Sequence, residues 1–290
     1  MRTEQEMMEL ILKFAEKDER IRVVGMEGSR TNVKVPKDQF QDYDITYVVT
    51  EMDSFTKGDG WLDYFGQRMI MQKPEAMELF PPELGNWFSY LMLFEDGNRI
   101  DLTLVPINEL ELYLTSDKLL TILLDKDGRV PIKPVPTDVD YHVKKPSAQM
   151  FDDCCNEFWW VSTYVAKGLC RGEILFAIEH LNNYVRPMLL QMLAWQVGIK
   201  TYFSLSVGKA YKYLDQYLGK DDWNQLLATY PNGTPDAVWE ALFTCHRLFR
   251  KSASDTADRL GFAYPDYDQN VSRYIMRLHR CYFENIKNES

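Results

Sequence analysis

Three aspartates are the residues of this chain whose type and spacing could do metal chemistry. Asp42 and Asp44 are separated by a single residue, and Asp101 lies in a later β-rich segment. Carboxylate oxygens are hard ligands that suit Mg²⁺, and neighbouring carboxylates repel each other unless a cation lies between them. The pattern therefore predicts a magnesium site, with two metal ions if all three acids converge.

A turn suited to phosphate precedes the first two acids. Gly28 lets the backbone approach a ligand closely, and Ser29 and Arg30 add a hydroxyl group and a guanidinium group. The run Ile21–Met26 before the turn is β-prone, which predicts a buried strand that ends at the turn. We interpret Gly28, Ser29 and Arg30 as a site for the phosphates of a nucleotide.

The first two acids require a strand to position them. The segment 42–50 alternates between polar and apolar residues, which is typical of a half-buried strand. A strand has a side-chain period of two, so Asp42, Asp44 and Thr46 share one face. Two carboxylates are thus expected to point into the same space.

The third acid is positioned by a predicted β-hairpin. Two β-rich runs, 88–95 and 99–105, flank Asp96-Gly97-Asn98, which is a common hairpin turn sequence. Asp101 lies in the second run and shares its face with Thr103. Three acids on two strands are therefore the predicted catalytic group.

The order of these motifs resembles a known superfamily. Gly-Ser, then Asp-x-Asp, then a single Asp on a later strand resembles the nucleotidyltransferases that include DNA polymerase β. The detailed sequence resembles the aminoglycoside 6-adenylyltransferases, which inactivate streptomycin, and the likeness covers nearly the whole chain. The segments that carry it are Gly28-Ser29-Arg30-Thr31-Asn32, Phe40-Gln41-Asp42-Tyr43-Asp44-Ile45, Arg99-Ile100-Asp101-Leu102-Thr103, Trp159, Lys167-Gly168-Leu169, Arg171-Gly172-Glu173 and His180-Leu181-Asn182.

The resemblance implies an antibiotic-resistance enzyme that uses ATP and Mg²⁺. AMP would pass from ATP to a hydroxyl group of streptomycin, and pyrophosphate would be released. Asp42 and Asp44 would hold the metal, while Asp101 would be a metal ligand, a general base or both. The partners would be ATP and streptomycin, without nucleic acid or membrane.

Further site residues are implied in the second half of the chain. The resemblance assigns Lys167 to the triphosphate, and Glu173, Glu179 and Trp159 to the acceptor. Charged residues on a helix are more often simply solvated, and an aromatic stripe at helical spacing is more often part of a core. Both alternatives stay open for these four residues at the level of sequence.

Two hypotheses compete with streptomycin adenylylation. The chain could be a nucleotidyltransferase that acts on a protein or nucleotide acceptor, or a catalytically dead binding protein. A lone Gly-Ser pair is usually an ordinary turn, and a lone Asp-x-Asp is usually a solvated strand edge. Their combination with Asp101 favours an enzyme.

The acidic composition would favour a cationic substrate, although soluble cytosolic proteins are often acidic in any case. The 290 residues carry 33 Lys and Arg against 43 Asp and Glu, a formal net charge of -10, which argues against general affinity for nucleic acid. The beginning of the chain has no signal-peptide pattern and no apolar run is long enough to span a membrane, so we expect a cytoplasmic protein. The five cysteines are an odd number without zinc-site spacing, and we expect buried thiols.

The predicted fold class is α+β with two domains. The resemblance implies that residues 1–135 form a nucleotidyltransferase domain like that of DNA polymerase β, with a mixed sheet and helices. Prolines between residues 130 and 146 mark the linker, and residues 147–290 are predicted to form a helical substrate-binding bundle with breaks near 231–233 and 261–265. Helices are also predicted at 4–20 and at 61–71.

Overall fold

The computed structural model describes residues 1–289, with side chains described for residues 1–284. The chain divides into two compact units, Met1–Asp140 and Tyr141–Ser290. The first unit combines a mixed sheet with helices, whereas the second is helical. The predicted α+β class is therefore confirmed.

The first unit is built on a sheet whose described part has six strands in the order β3-β4-β5-β2-β1-β6. Strands β2 and β5 pair in parallel, and the other neighbours pair antiparallel. The site strands β2 and β5 are thus adjacent and central. The strands are β1 (Ile21–Glu27), β2 (Tyr43–Val49), β3 (Arg68–Gln72), β4 (Phe88–Phe94), β5 (Arg99–Pro106) and β6 (Leu120–Asp125).

Apolar clusters cover both faces of this sheet. Tyr47 and Val49 belong to a cluster that includes residues of helix α1 (Glu4–Lys17), whereas Val48 belongs to a second cluster with helix α3 (Leu110–Ser116). Successive side chains of a strand point to opposite faces, which explains this division. The short helix α2 (Asp53–Thr56) adds Phe55 to the first cluster.

Helix α1 fixes the strand that bears two of the acids. Thr3 and Glu6 form a capping box at its beginning, which satisfies backbone N–H groups of the first turn. The Tyr47 hydroxyl donates a hydrogen bond of 2.7 Å to the carbonyl of Ile11, so β2 is tied to α1. The helix predicted at 4–20 is confirmed, and it ends at Lys17.

The prediction of a helix at 61–71 is wrong. A 3₁₀ helix covers only Gly60–Phe65, and Gly66, with φ 113°, ends it. The chain then enters β3, whose backbone pairs with β4 at the edge of the sheet. Pairing with a partner about twenty residues away decides the conformation of this segment, and local spacing does not reveal it.

The second unit is a helical bundle, as predicted. Ser147 caps the first helix, and the predicted breaks fall before Pro235 and at Gly261, which adopts the left-handed conformation typical of a helix end. Its apolar core includes Phe158, Trp159 and Phe249. The helices are α4 (Ala148–Cys170), α5 (Ile174–His180), α6 (Arg186–Lys200), α7 (Lys220–Leu227), α8 (Pro235–Leu260) and α9 (Tyr267–Glu289).

The five cysteines are free thiols. Cys154, Cys155 and Cys245 are buried, whereas Cys170 and Cys281 are exposed, so the expectation that all are buried is wrong for these two. Within the described residues, no helix combines the length and the apolar character needed to cross a bilayer.

Candidate active site

The turn at Gly28 and the acid Asp44 are in direct contact. Gly28 begins a 3₁₀ turn after β1 and has φ +72°, a conformation that favours glycine. A Cβ atom on Gly28 would lie 2.3 Å from Oδ2 of Asp44, far inside van der Waals contact. The turn and the first strand acid, predicted separately from sequence, are therefore brought together.

The third acid lies on the adjacent strand. Asp44 and Asp101 are direct partners in the parallel register of β2 and β5. Ile45 and Leu102, their neighbours along the strands, point into the cluster with α1, so both acids lie on the opposite face, on the side of α3. Asp42 immediately precedes β2 and is also partly exposed.

Arg99 links two of the acids. Its Nε and Nη2 atoms each donate a 2.7 Å hydrogen bond to Asp101, and its Nη1 lies 3.5 Å from Oδ2 of Asp42. Burial raises the pKa of Asp42, and the opposing charge of Arg99 lowers it. Arg99 therefore supplies a positive charge beside the acid group, a role that sequence analysis missed.

The acids fit a magnesium ion by donor chemistry. All three offer oxygen ligands, which Mg²⁺ prefers. Across the described residues, however, no three acidic, histidine or cysteine side chains are grouped closely enough to hold a metal ion together. Arg99 occupies the neighbourhood of Asp42 and Asp101, so joint binding of a metal by these two acids requires Arg99 to give up at least one ion pair.

Ser29 and Arg30 have different environments within the turn. The guanidinium of Arg30 donates to the carbonyls of Asp42 and Gln41 at 2.9 and 2.8 Å and lies 3.7 Å from the ring centroid of Tyr43. Its side chain is only 8% exposed. Within the described chain, the Ser29 hydroxyl has no hydrogen-bond partner, so Ser29 is the member of the pair with a free donor.

A partly buried acid directly before the turn was also missed from sequence. The Tyr113 hydroxyl donates a hydrogen bond to Glu27, the last residue of β1. Burial, helped by the nearby charges of Asp44 and Asp117, raises the pKa of Glu27 to about 7, although the hydrogen bond from Tyr113 lowers it. A Cβ atom on Gly25 would overlap the Tyr113 hydroxyl at 1.7 Å, so glycine makes room for this bond. The position of Glu27 directly before the turn was the available sequence signal.

Three predicted site residues lie in the last turn of α4, in the connection that follows it, and at the end of α5. The Lys167 ammonium is 5.8 Å from the ring centroid of Tyr164, and Lys167 is partly buried. Glu173 is exposed and lies 3.9 Å from Arg171, while Glu179 accepts a 2.6 Å hydrogen bond from Asn183. These residues are accessible to a ligand.

The prediction that Trp159, the fourth residue of this group, contacts the substrate is corrected by the structure. Its side chain is fully buried and packs against Phe158, His246 and Phe249 in the helical core. The indole N–H donates to the hydroxyl of Tyr264 at 3.2 Å. The ring therefore has no exposed surface for a substrate, because its apolar area is used by the core.

A cavity in the second unit combines acids with aromatic rings. It has a volume of about 640 Å³, and Asp153, Glu157, Trp195 and Tyr211 are among its lining residues, together with Lys144. Carboxylates and aromatic faces are the groups that recognise guanidinium and ammonium ions. Sequence analysis missed this cavity because its residues come from the segment before α4, from α4 and α6, and from a later loop.

Known proteins are similar in sequence to this chain over most of its length. Residues 1–278 match the family described as streptomycin adenylyltransferase. A protein named aminoglycoside 6-adenylyltransferase from Bacillus subtilis (strain 168) is 55% identical over 275 residues, 94% of this chain and 97% of that protein. A protein of the same name from Campylobacter jejuni is 52% identical over 282 residues, 97% of this chain and 98% of that protein. A crystal structure of an aminoglycoside 6-adenyltransferase from Bacillus subtilis is 49% identical, covers 96% of this chain and 99% of its own, and has a TM-score of 0.49.

Proposed function

Because this chain belongs to the streptomycin adenylyltransferase family, we propose that it transfers AMP from ATP to a hydroxyl group of an aminoglycoside, and that streptomycin is its acceptor. The observation that carries this proposal is the contact of the Gly28 turn with Asp44, opposite Asp101 on the adjacent strand. A phosphate-binding turn beside paired acids is what nucleotidyl transfer needs. The reaction is proposed to take place in the cytoplasm, where ATP is available.

The turn holds the nucleotide in this proposal. Gly28 allows the phosphate chain to approach the backbone, and the Ser29 hydroxyl donates to a phosphate oxygen. Arg30 donates hydrogen bonds to the backbone carbonyls of Gln41 and Asp42, so it fixes the backbone at Asp42. Lys167 is a further proposed contact of the triphosphate, as the family resemblance implies.

Asp42 and Asp44 would hold the magnesium of magnesium-ATP, and Asp101 would be a ligand of a second ion near the acceptor; magnesium, when bound, neutralises phosphate charge and makes the α-phosphorus easier to attack. Asp101 accepts the proton of the acceptor hydroxyl, and Arg99 orients that carboxylate through two hydrogen bonds. The acceptor oxygen forms a bond to the α-phosphorus as the bond to the bridging oxygen breaks. Pyrophosphate leaves, and AMP stays on the acceptor.

Two sets of acids are candidates for the acceptor site, since streptomycin carries two guanidinium groups. Sequence analysis assigns Glu173 and Glu179, and the cavity in the second unit adds Asp153 and Glu157. Removing each pair of charges, as Glu173→Gln with Glu179→Gln or as Asp153→Asn with Glu157→Gln, separates them. Substitution of the pair that binds streptomycin is expected to raise the KM for streptomycin without changing the KM for ATP.

The function is tested with a panel of acceptors. The purified protein is incubated with ATP, magnesium and each acceptor, and pyrophosphate release is measured. Streptomycin is expected to be the best acceptor, and aminoglycosides without the streptidine ring are expected to be poor ones. Equal rates on kanamycin-type compounds would reject the assignment to streptomycin. Release only with a protein or nucleotide acceptor would favour the second hypothesis, and no release with any acceptor would favour a binding protein.

A further inference from the structure

A second cavity in the helical unit is lined by basic residues. It lies between α8 and α9 and has a volume of about 770 Å³, within the range of small-molecule sites. Arg247, Arg250 and Arg273 line it, together with the single acid Asp268. Three guanidinium groups around one carboxylate are unexpected in a chain of net charge -10. The local charge favours an anion.

One arginine is committed to the protein. Arg250 donates hydrogen bonds of 2.6 and 2.5 Å to the two carboxylate oxygens of Asp268, and it also donates to Ser272 at 2.8 Å. The hydroxyls of Tyr264 and Ser272 donate to the same carboxylate. Asp268 is therefore neutralised and fully bonded, and Arg250 forms a fixed wall of the cavity.

The other two arginines keep their charge uncompensated. Arg247 donates to the Thr244 hydroxyl at 2.7 Å, and Arg273 donates to the Gln269 carbonyl and to Asn270. Across the described residues, neither Arg247 nor Arg273 forms an ion pair with an acid. Both side chains are exposed, so both can turn a guanidinium fork toward a ligand.

His246 is a buried polar side chain in the wall of the cavity. It lines the cavity, it is only 4% exposed, and its Nε2 atom has no hydrogen-bond partner among the described residues. A buried polar atom without a partner is rare in folded proteins, because it loses its hydrogen bonds to water without replacement. Packing against Trp159 and Phe158 holds the ring in place. Burial lowers the pKa of His246 to about 3, so the ring is neutral and can donate one N–H.

We propose that the cavity between α8 and α9 is a second ligand site that binds a phosphate-bearing anion. Arg247 and Arg273 bind the phosphate oxygens through paired hydrogen bonds, and the His246 ring in the cavity wall supplies a further N–H. Guanidinium groups match phosphate geometry better than ammonium groups do, and here two of them face one cavity. The volume admits either pyrophosphate or a whole nucleotide, whose base could stack on Phe243 or His279.

Calorimetric titration of the full-length protein in EDTA tests this site, because the metal-dependent binding proposed for Asp42 and Asp44 is absent there. Pyrophosphate and ATP are titrated separately. We expect saturable binding of at least one of them, weakened about tenfold or more by the double change Arg247→Met with Arg273→Met. Tighter binding of ATP would identify a nucleotide as the ligand, and similar affinities would identify the phosphate groups alone.

Two control variants and one core variant complete the experiment. Arg259→Met removes an exposed arginine of α8 that pairs with Asp255 and does not line the cavity, so it should leave binding unchanged. Ser29→Ala, in the turn proposed to hold the nucleotide, should also leave it unchanged, which separates this site from the catalytic one. His246→Phe should weaken binding while the protein stays folded, because the new ring is apolar and similar in size. Binding that is absent in the wild type, equally strong in the double variant, or lost in Ser29→Ala would overturn the proposal.

Discussion

The carboxylate of Asp44 lies against the α-carbon of Gly28, so that a methyl group on this carbon would stand 2.3 Å from Oδ2. This contact joins the end of β1 to the middle of the sheet. It also means that the position of the acid depends on the absence of a side chain in the turn. The geometry of the turn and that of the acid are therefore one feature.

Gly28→Ala should abolish most activity. The new methyl group must displace the Asp44 carboxylate, and the residue must also keep φ +72°, which costs about 1 kcal/mol for a non-glycine residue. Gly128→Ala is the matched control, because Gly128 has φ +65° and nothing lies within 4 Å of its added Cβ. We expect similar losses of thermal stability from backbone strain, and loss of turnover only for Gly28→Ala. Equal activity in the two variants would show that the contact has no catalytic importance.

Ser29 and Arg30 should separate into a binding residue and a positioning residue. Ser29→Ala removes a free hydroxyl and should weaken ATP about tenfold without lowering Tm. Arg30→Met removes two bonds to carbonyls and the packing on Tyr43, so it should lower Tm as well as weaken ATP. Calorimetry with a non-hydrolysable ATP analogue and thermal unfolding provide the two readouts. ATP affinity that is unchanged in Ser29→Ala would remove the phosphate contact.

Asp101→Asn should damage turnover more than binding. The change removes the proton acceptor, and loss of a general base costs about a hundredfold to ten-thousandfold in rate. Affinities for magnesium-ATP and for streptomycin should stay within a few-fold of wild type. If magnesium-ATP binding instead falls as far as in Asp42→Asn, Asp101 is chiefly a metal ligand, and the base must be sought among acids such as Glu173 or Glu179.

Glu27 should make the stability of the protein depend on pH. Its pKa in the folded state is about 7, above the value near 4.3 expected in the unfolded chain. The folded state therefore binds the proton more tightly, so the contribution of Glu27 to the free energy of unfolding is complete below about pH 4 and is lost as the pH rises through 7. The wild-type protein should therefore lose free energy of unfolding between pH 5 and pH 8, and Glu27→Gln should make this loss smaller by up to about 3 kcal/mol.

Urea unfolding in EDTA at both pH values measures this effect. Glu111→Gln on α3 is the control, because Glu111 is exposed and should leave the pH dependence as it is in the wild type. A Glu27→Gln variant with the same decline as the wild type would mean that Glu27 is already ionised in the folded protein at pH 5.

Sequence reasoning located the acids because strand alternation is a local property. The period of two placed Asp42 and Asp44 on one face, and the hairpin turn at Asp96-Gly97-Asn98 placed Asp101 on a strand that the structure pairs with β2. The helical second unit is likewise predicted by periodicity, whereas the mixed sheet of the first unit is implied by the family resemblance. These features depend mainly on neighbours in the chain.

The features that sequence missed depend on distant partners. Nothing near Arg99 in the chain indicates that its side chain reaches Asp42, and nothing near Trp159 indicates that Phe249 and His246 enclose it. The strand at 68–72 exists because β4 offers an edge for pairing. Such contacts form only when the whole unit packs, so local propensity does not contain them.

The central claim is that the acids beside the Gly28 turn carry out AMP transfer to streptomycin, and the mass of the acceptor tests it most directly. Streptomycin is incubated with ATP, magnesium and the protein, and the products are analysed by mass spectrometry. We predict that streptomycin gains the mass of one adenylyl group with the wild-type protein, and that Asp42→Asn and Asp44→Asn, though folded, retain less than about a tenth of this activity. Unmodified streptomycin with the wild type, or modification that continues at the wild-type rate in both variants, would contradict the account.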